Sequence, residues 1–144
     1  MPTVRTILQE HGDGMVVVDV RATVQDAARL MAEKHVGAVV VTRGGKVAGI
    51  FTERDLLTRV VAPERVPRET SVESVMTTPV ACCQPDTTRA QCRAIMRSKR
   101  IRHLPVVESD RLLGMVSIRD ILEDVAAEQE QEIRHLYEYM HGAR

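Results

Sequence analysis

Two short stretches of the chain bring together a hydroxyl, a guanidinium and a carboxylate: Thr52, Arg54 and Asp55 in one, Ser117, Arg119 and Asp120 in the other. Each follows a glycine, Gly49 or Gly114, in a shared Gly-x-x-[Thr/Ser]-x-Arg-Asp order. The hydroxyl falls at the start of an expected helix, where free N–H groups and the helix dipole favour an anion. A strand-end glycine lets a ligand approach the backbone. Arginine supplies positive charge for phosphate, and the carboxylate suits the vicinal hydroxyls of a sugar. Together these groups describe a nucleotide. Taken one copy at a time, the same residues also satisfy a capping box, in which hydroxyl and carboxylate close the first turn of a helix.

The signature belongs to a longer duplication. Gly49 and Gly114 lie 65 residues apart, and at that offset Thr23 falls on Thr88, Met31 on Met96, Lys34 on Lys99, Val41 on Val106 and Leu57 on Leu122. Each copy, at about 60 residues, is too small to bury a sizeable core alone, so the two are expected to share one. Met15 to Val20 is a β-branched run fit for a buried strand. Thr23 offers an N-cap hydroxyl before Val24, Ala27, Ala28, Met31 and Ala32 at helical spacing. A strand from Val36 to Thr42, a hairpin turn at Gly44-Gly45 and a strand from Val47 to Phe51 follow, then a helix from Glu53 to Val61. The second copy repeats the order: a strand near Val80 to Gln84, a helix from Arg89 to Ser98, strands from Arg102 to Val107 and Leu112 to Val116, and a helix from Ile118.

The fold class expected is therefore mixed α/β (α+β), two β-α-β-β-α repeats packed with pseudo-two-fold symmetry plus a C-terminal helical tail. Residues 1–62 form the first repeat with its lead-in, 63–70 a linker marked by Pro63 and Pro67, 71–124 the second repeat and 125–144 the tail. Val4, Ile7 and Leu8 ahead of repeat one mirror Val72, Val75 and Met76 ahead of repeat two. The tail sets Val125, Ile133, Leu136, Tyr137 and Met140 beside a polar stretch from Glu128 to Glu132. It either folds back on its own domain or forms a subunit contact.

Composition narrows the function. Twenty basic and twenty acidic residues leave no net field to recruit nucleic acid, and 2% aromatics without Trp remove the stacking platforms of single-strand binders. No run approaches the ~18 apolar residues of a membrane span, and the N-terminus opens no signal region. Cys82, Cys83 and Cys92 lack Cys-x-x-Cys spacing and read as core thiols in a reducing cytoplasm, with no metal or redox role. No nucleophile elbow, Walker loop or metal cluster points to an enzyme. His11, His35, His103, His135 and His141 are scattered. Asp55 and Asp120 could hold Mg²⁺ beside bound phosphates, but ribose binding explains them more simply.

The doubled signatures, with Val36-Gly37-Ala38-Val39-Val40-Val41 and Ile101-Arg102-His103-Leu104-Pro105-Val106-Val107 before them, resemble the CBS domain, named for cystathionine β-synthase. The tandem pair resembles a Bateman module from about Val4 to Leu122. The resemblance implies two clefts between packed repeats that bind an adenosyl effector: AMP, ADP, ATP, an NAD-type dinucleotide or S-adenosylmethionine. It would give Asp55 and Asp120 to ribose, Thr52 and Ser117 with Arg54 and Arg119 to phosphate, and Val36, Ala38, Ile101 and His103 to adenine. Thr23 and Thr88 lie near the clefts in such folds, or act as helix caps. Arg102-His103 replaces Gly37-Ala38, either as a solvated strand end or to give one cleft extra positive charge suited to more phosphates. His103 would strengthen binding as pH falls toward its ordinary pKa of about 6.5. The implied protein is a homodimeric, cytoplasmic sensor acting on an unknown regulated protein, with no required cofactor. A scaffold with empty clefts and an enzyme acting on a nucleotide are the competing readings.

Overall fold

Alternation along the hairpin strands decides how the molecule is layered. Side chains of a strand point alternately to its two faces. In strand β2 (Ala38–Arg43), Val39 and Val41 enter one core while Ala38 and Val40 enter another. The structure, a computed structural model, describes residues 2–141; Met1 and, in the expected tail, residues 142–144 lie outside the described residues.

In repeat one, strand β1 (Val17–Asp19) pairs parallel with β2, which pairs antiparallel with β3 (Lys46–Thr52). Helix α2 (Val24–Lys34) crosses between β1 and β2 and buries Val24, Ala27 and Met31 against the sheet. In repeat two, β4 (His103–Glu108) and β5 (Arg111–Ser117) form the matching hairpin, covered by α4 (Arg89–Lys99) through Cys92 and Met96. Ala38, Val40, Ile50 and Met115 form a separate apolar layer joining the two repeats.

Thr23 and Thr88 each close a capping box, with Asp26 and Gln91 as partners. Both helices end on a left-handed, non-glycine residue, His35 and Arg100, each at φ 56°. Signature one opens helix α3 (Glu53–Asp55), which widens into π-helical turns over Leu56–Val61. Signature two opens α5 (Ile118–Met140), a single helix of 23 residues with no break at 124/125. Its residues from Gln129 onward are exposed, so the tail does not fold back.

The expected strand at Val80–Gln84 is absent. Cys83 alone bridges Val106, donating to the Pro105 carbonyl at 2.9 Å and accepting from Val107 at 2.9 Å. Pro79 and Pro85 bracket the segment, removing donors and restricting the residues before them, so no ladder extends. The expectation of three core thiols is also corrected: Cys83 and Cys92 are buried, but Cys82 is exposed. The Cys92 thiol beside it, together with burial, pushes the Cys83 thiol up.

The lead-ins change places. Helix α1 (Val4–His11) precedes repeat one but buries Val4 and Ile7 in the core of repeat two. Val72, Val75 and Met76, which precede repeat two, lie in the core of repeat one. The backbone repeats the exchange. Val4 donates to Thr87 and Arg89 to Pro2, while Val24 donates to Thr70 and Val72 to Ala22, all at 2.9–3.0 Å.

Candidate functional site

Both signatures fold as capping boxes. The Thr52 N–H donates to Asp55 Oδ2 at 3.0 Å and the Asp55 N–H to Thr52 Oγ1 at 3.2 Å. The Ser117 N–H donates to Asp120 Oδ2 at 3.0 Å and the Asp120 N–H to Ser117 Oγ at 3.1 Å. The strand before each is tied to its helix in the same way. Glu53 donates to the Gly37 carbonyl at 3.0 Å and Ile118 to the Arg102 carbonyl at 2.8 Å.

Beyond the boxes the two copies diverge. Asp55 is 4% exposed and accepts from the Thr77 hydroxyl at 3.0 and 3.2 Å, with Arg59 Nε 3.7 Å away. Arg59 is itself held by the Met76 carbonyl at 2.9 Å. A Cβ on Gly49 would collide with the Met76 side chain, so this glycine admits the protein's own lead-in. Asp120 is half-buried, and among the described residues its carboxylate accepts only the Ser117 N–H. Gly114 is faced by the Asp13 carbonyl, 2.5 Å from where a Cβ would stand.

Chain length accounts for the difference. From Leu8 to Val17 is nine residues, from Met76 to the equivalent Cys82 six. The extra three lengthen α1 and form Gly12-Asp13-Gly14, which carries a backbone carbonyl to Met115 N (2.7 Å) and no hydroxyl to Asp120.

A cleft of about 810 Å³ opens beside Asp120, between the repeats. Repeat two contributes Arg102, His103, Met115, Ser117, Ile118, Arg119 and Asp120; repeat one contributes Ala28, Met31, Ala32, His35, Val36, Gly37, Glu53 and Leu56, with Gly14 at the edge. Of the residues singled out in the sequence, Val36, His103, Ser117, Arg119 and Asp120 therefore line one cleft. Thr52, Arg54 and Asp55 are not part of it. Ala38 is fully buried in the layer between the repeats, Ile101 packs on the core of repeat two, and Thr23 and Thr88 stand as caps.

The cleft carries two guanidinium groups, Arg102 and Arg119, and two carboxylates, Glu53 and Asp120. Arg119 reaches solvent and approaches Glu123 at 3.3 Å. Burial pushes the His103 imidazole below its ordinary 6.5, with Glu53 and Asp120 pulling upward and Arg102 downward. Glu53, His35 and Leu56 escaped the sequence reading. The signal for Glu53 was present: it breaks the repeat where Ile118 stands in the second copy.

No helix among the described residues is long and apolar enough to cross a membrane. Residues 6–62 and 72–127 each match the family model described as CBS domain. A mitochondrial CBS domain-containing protein of Arabidopsis thaliana, CBSX3, is 36% identical over 125 residues, which are 83% of this chain and 61% of that protein. The CBS domain-containing protein YhcV of Bacillus subtilis is 33% identical over 107 residues, 74% of this chain and 76% of that one. Among solved structures, a protein with CBS domains from Burkholderia ambifaria superposes with TM-score 0.83 at 41% identity, covering 88% of this chain and 96% of that one. A hexameric CBS-CP12 protein from bloom-forming cyanobacteria gives 0.75 at 30% identity, covering 83% and 66%.

Proposed function

This chain belongs to the CBS-domain family, and on that premise we propose that it is a regulatory module that binds one adenosyl ligand in the Asp120 cleft. The carrying observation is the contrast between the two signature carboxylates, one engaged by Thr77 and Arg59 and one left facing an open cleft. Asp120 would take the ribose hydroxyls, and Ser117 with Arg119 at the start of α5 the phosphate. Val36 and His103 would flank adenine. Two guanidinium groups against two carboxylates leave the walls near neutral while His103 is uncharged. That balance favours a ligand of low charge, AMP or S-adenosylmethionine, over ATP, because Glu53 offsets Arg102.

The module acts without catalysis and signals through its packing. A ligand bridging Val36 and Glu53 of one repeat to Asp120 of the other shifts the balance between two arrangements only by its difference in affinity for them. Self-association into a homodimer presents the changed surface to a regulated partner.

Calorimetric titration of nucleotide-free protein with AMP, ADP, ATP, NAD and S-adenosylmethionine tests the reading. Saturable binding at one site per chain, abolished in Asp120→Ala and retained in Arg54→Ala, is the expected result. No heat with any of them would leave both signatures as helix caps and favour a scaffold.

A further inference from the structure

Helix α5 carries an unpartnered seam. Its exposed residues Leu122, Ala126, Gln129, Ile133, Leu136 and Met140 are spaced four, three, four, three and four apart. That is the a/d rhythm of a coiled coil, narrower than the stripe of a helix that covers a core. Leu122, Ile133, Leu136 and Met140 are 50, 68, 60 and 71% exposed. The exposed stretch from Gln129 to Met140 would be marginal as a free helix, but here nucleation is already done. Ser117 caps the first turn, Ile121 is buried, and Arg89 holds Asp124 at 2.7 Å and Glu128 at 2.6 Å.

We propose that this seam pairs with the same seam of a second copy as a parallel, two-stranded coiled coil. The proposal rests on the self-association reading above and names its surface. Leu122, Gln129 and Leu136 occupy d positions, Ala126, Ile133 and Met140 a positions, and a β-branched residue at a with leucine at d favours two parallel strands. Charge favours the same alignment over the antiparallel register of full overlap. In parallel register Glu132 flanks Tyr137 of the other copy and Glu130 flanks Val125, so no carboxylates meet. In the antiparallel register that stacks Ile133 on Gln129, Glu132 faces Glu132 and Glu130 faces Glu130, and like charges across the seam destabilise the pair. Parallel pairing also sets Gln129 against Gln129, where the amides satisfy each other, rather than against an isoleucine that would leave each unpaired.

The test is sedimentation equilibrium of the full chain and of Ile133→Glu/Leu136→Glu. Both positions are exposed, so the fold is expected to survive, as circular dichroism would verify. The expected result is a dimer for the unaltered chain and a dissociation constant raised more than a hundredfold by the double substitution. Mild oxidation of Gln129→Cys in a Cys82→Ser background should then give a covalent dimer. A dimer indifferent to the double substitution overturns the seam but leaves self-association standing. A monomer at every concentration overturns both and gives the face to a different protein. Dependence on Ile133 and Leu136 without cross-linking at position 129 overturns the parallel alignment.

Discussion

The Thr77 hydroxyl donates to both carboxylate oxygens of Asp55, at 3.0 and 3.2 Å, from a segment 22 residues further along the chain. Asp120, its counterpart, has no such partner among the described residues. One carboxylate is thus committed to holding the fold and the other lines an open cleft, although the two signatures share glycine, hydroxyl, arginine and aspartate at the same spacing.

Substituting these carboxylates should separate stability from binding. Asp55→Ala leaves the Thr52 N–H and the Thr77 hydroxyl without a partner in a buried place, at a cost of about 2–4 kcal/mol. Asp120→Ala loses a cap and should cost about 1 kcal/mol. Urea unfolding reads both. Ligand titration should then show binding lost in the second variant and kept in the first at temperatures where it is folded.

Stability and affinity should move in opposite directions as pH falls. The folded pKa of His103 lies below the unfolded 6.5, mainly through burial. The unfolded chain therefore binds more protons between the two values, and stability is full above pH 6.5 and declines as pH falls toward the folded pKa. Protonation of the ring turns the near-neutral cleft positive, so the AMP anion should bind more tightly over the same window, below 6.5 rather than at it. Titrations at several pH values, repeated with His103→Gln, would show the dependence vanish if the imidazole is its source.

Ile7 should behave as a core residue of repeat two despite its place in the sequence. It is fully buried among Cys92, Leu104 and Ile121. Ile7→Ala should cost about 2–5 kcal/mol. Hydrogen exchange should show the loss of protection centred on β4, β5 and α4 rather than on β1 to β3.

Arg100 ends α4 in the left-handed region, where a side chain costs about 1 kcal/mol and glycine does not. Arg100→Gly should raise the midpoint of thermal unfolding by a few degrees.

The sequence carried the repeats and their elements because each rests on local chemistry. Thr23 and Thr88 cap, Gly44-Gly45 turns, and the unbroken apolar run Val39-Val40-Val41 marks a strand buried on both faces. The divergence of the two signatures was not legible there. It depends on how far Thr77 reaches compared with Asp13, which three extra residues decide only once Ile50 and Met115 are paired with their partners. The role of Glu53 was not legible there either. Beside Thr52 and Asp55 it reads as first-turn acid, and it enters the other cleft because Gly37 has no side chain to exclude it. The strand expected at Val80–Gln84 does not form because the prolines at its ends remove donors that apolar side chains cannot replace.

The exchange of lead-ins means that neither repeat is complete in its own stretch of chain. A lone copy would have a groove where its lead-in lies in the neighbour, and two such chains could fill each other's grooves by trading arms. Within one chain the exchange has a mechanical consequence: cut between Pro63 and Val66, the two fragments should each be unfolded alone and should fold on mixing, each lending the other the segment it lacks.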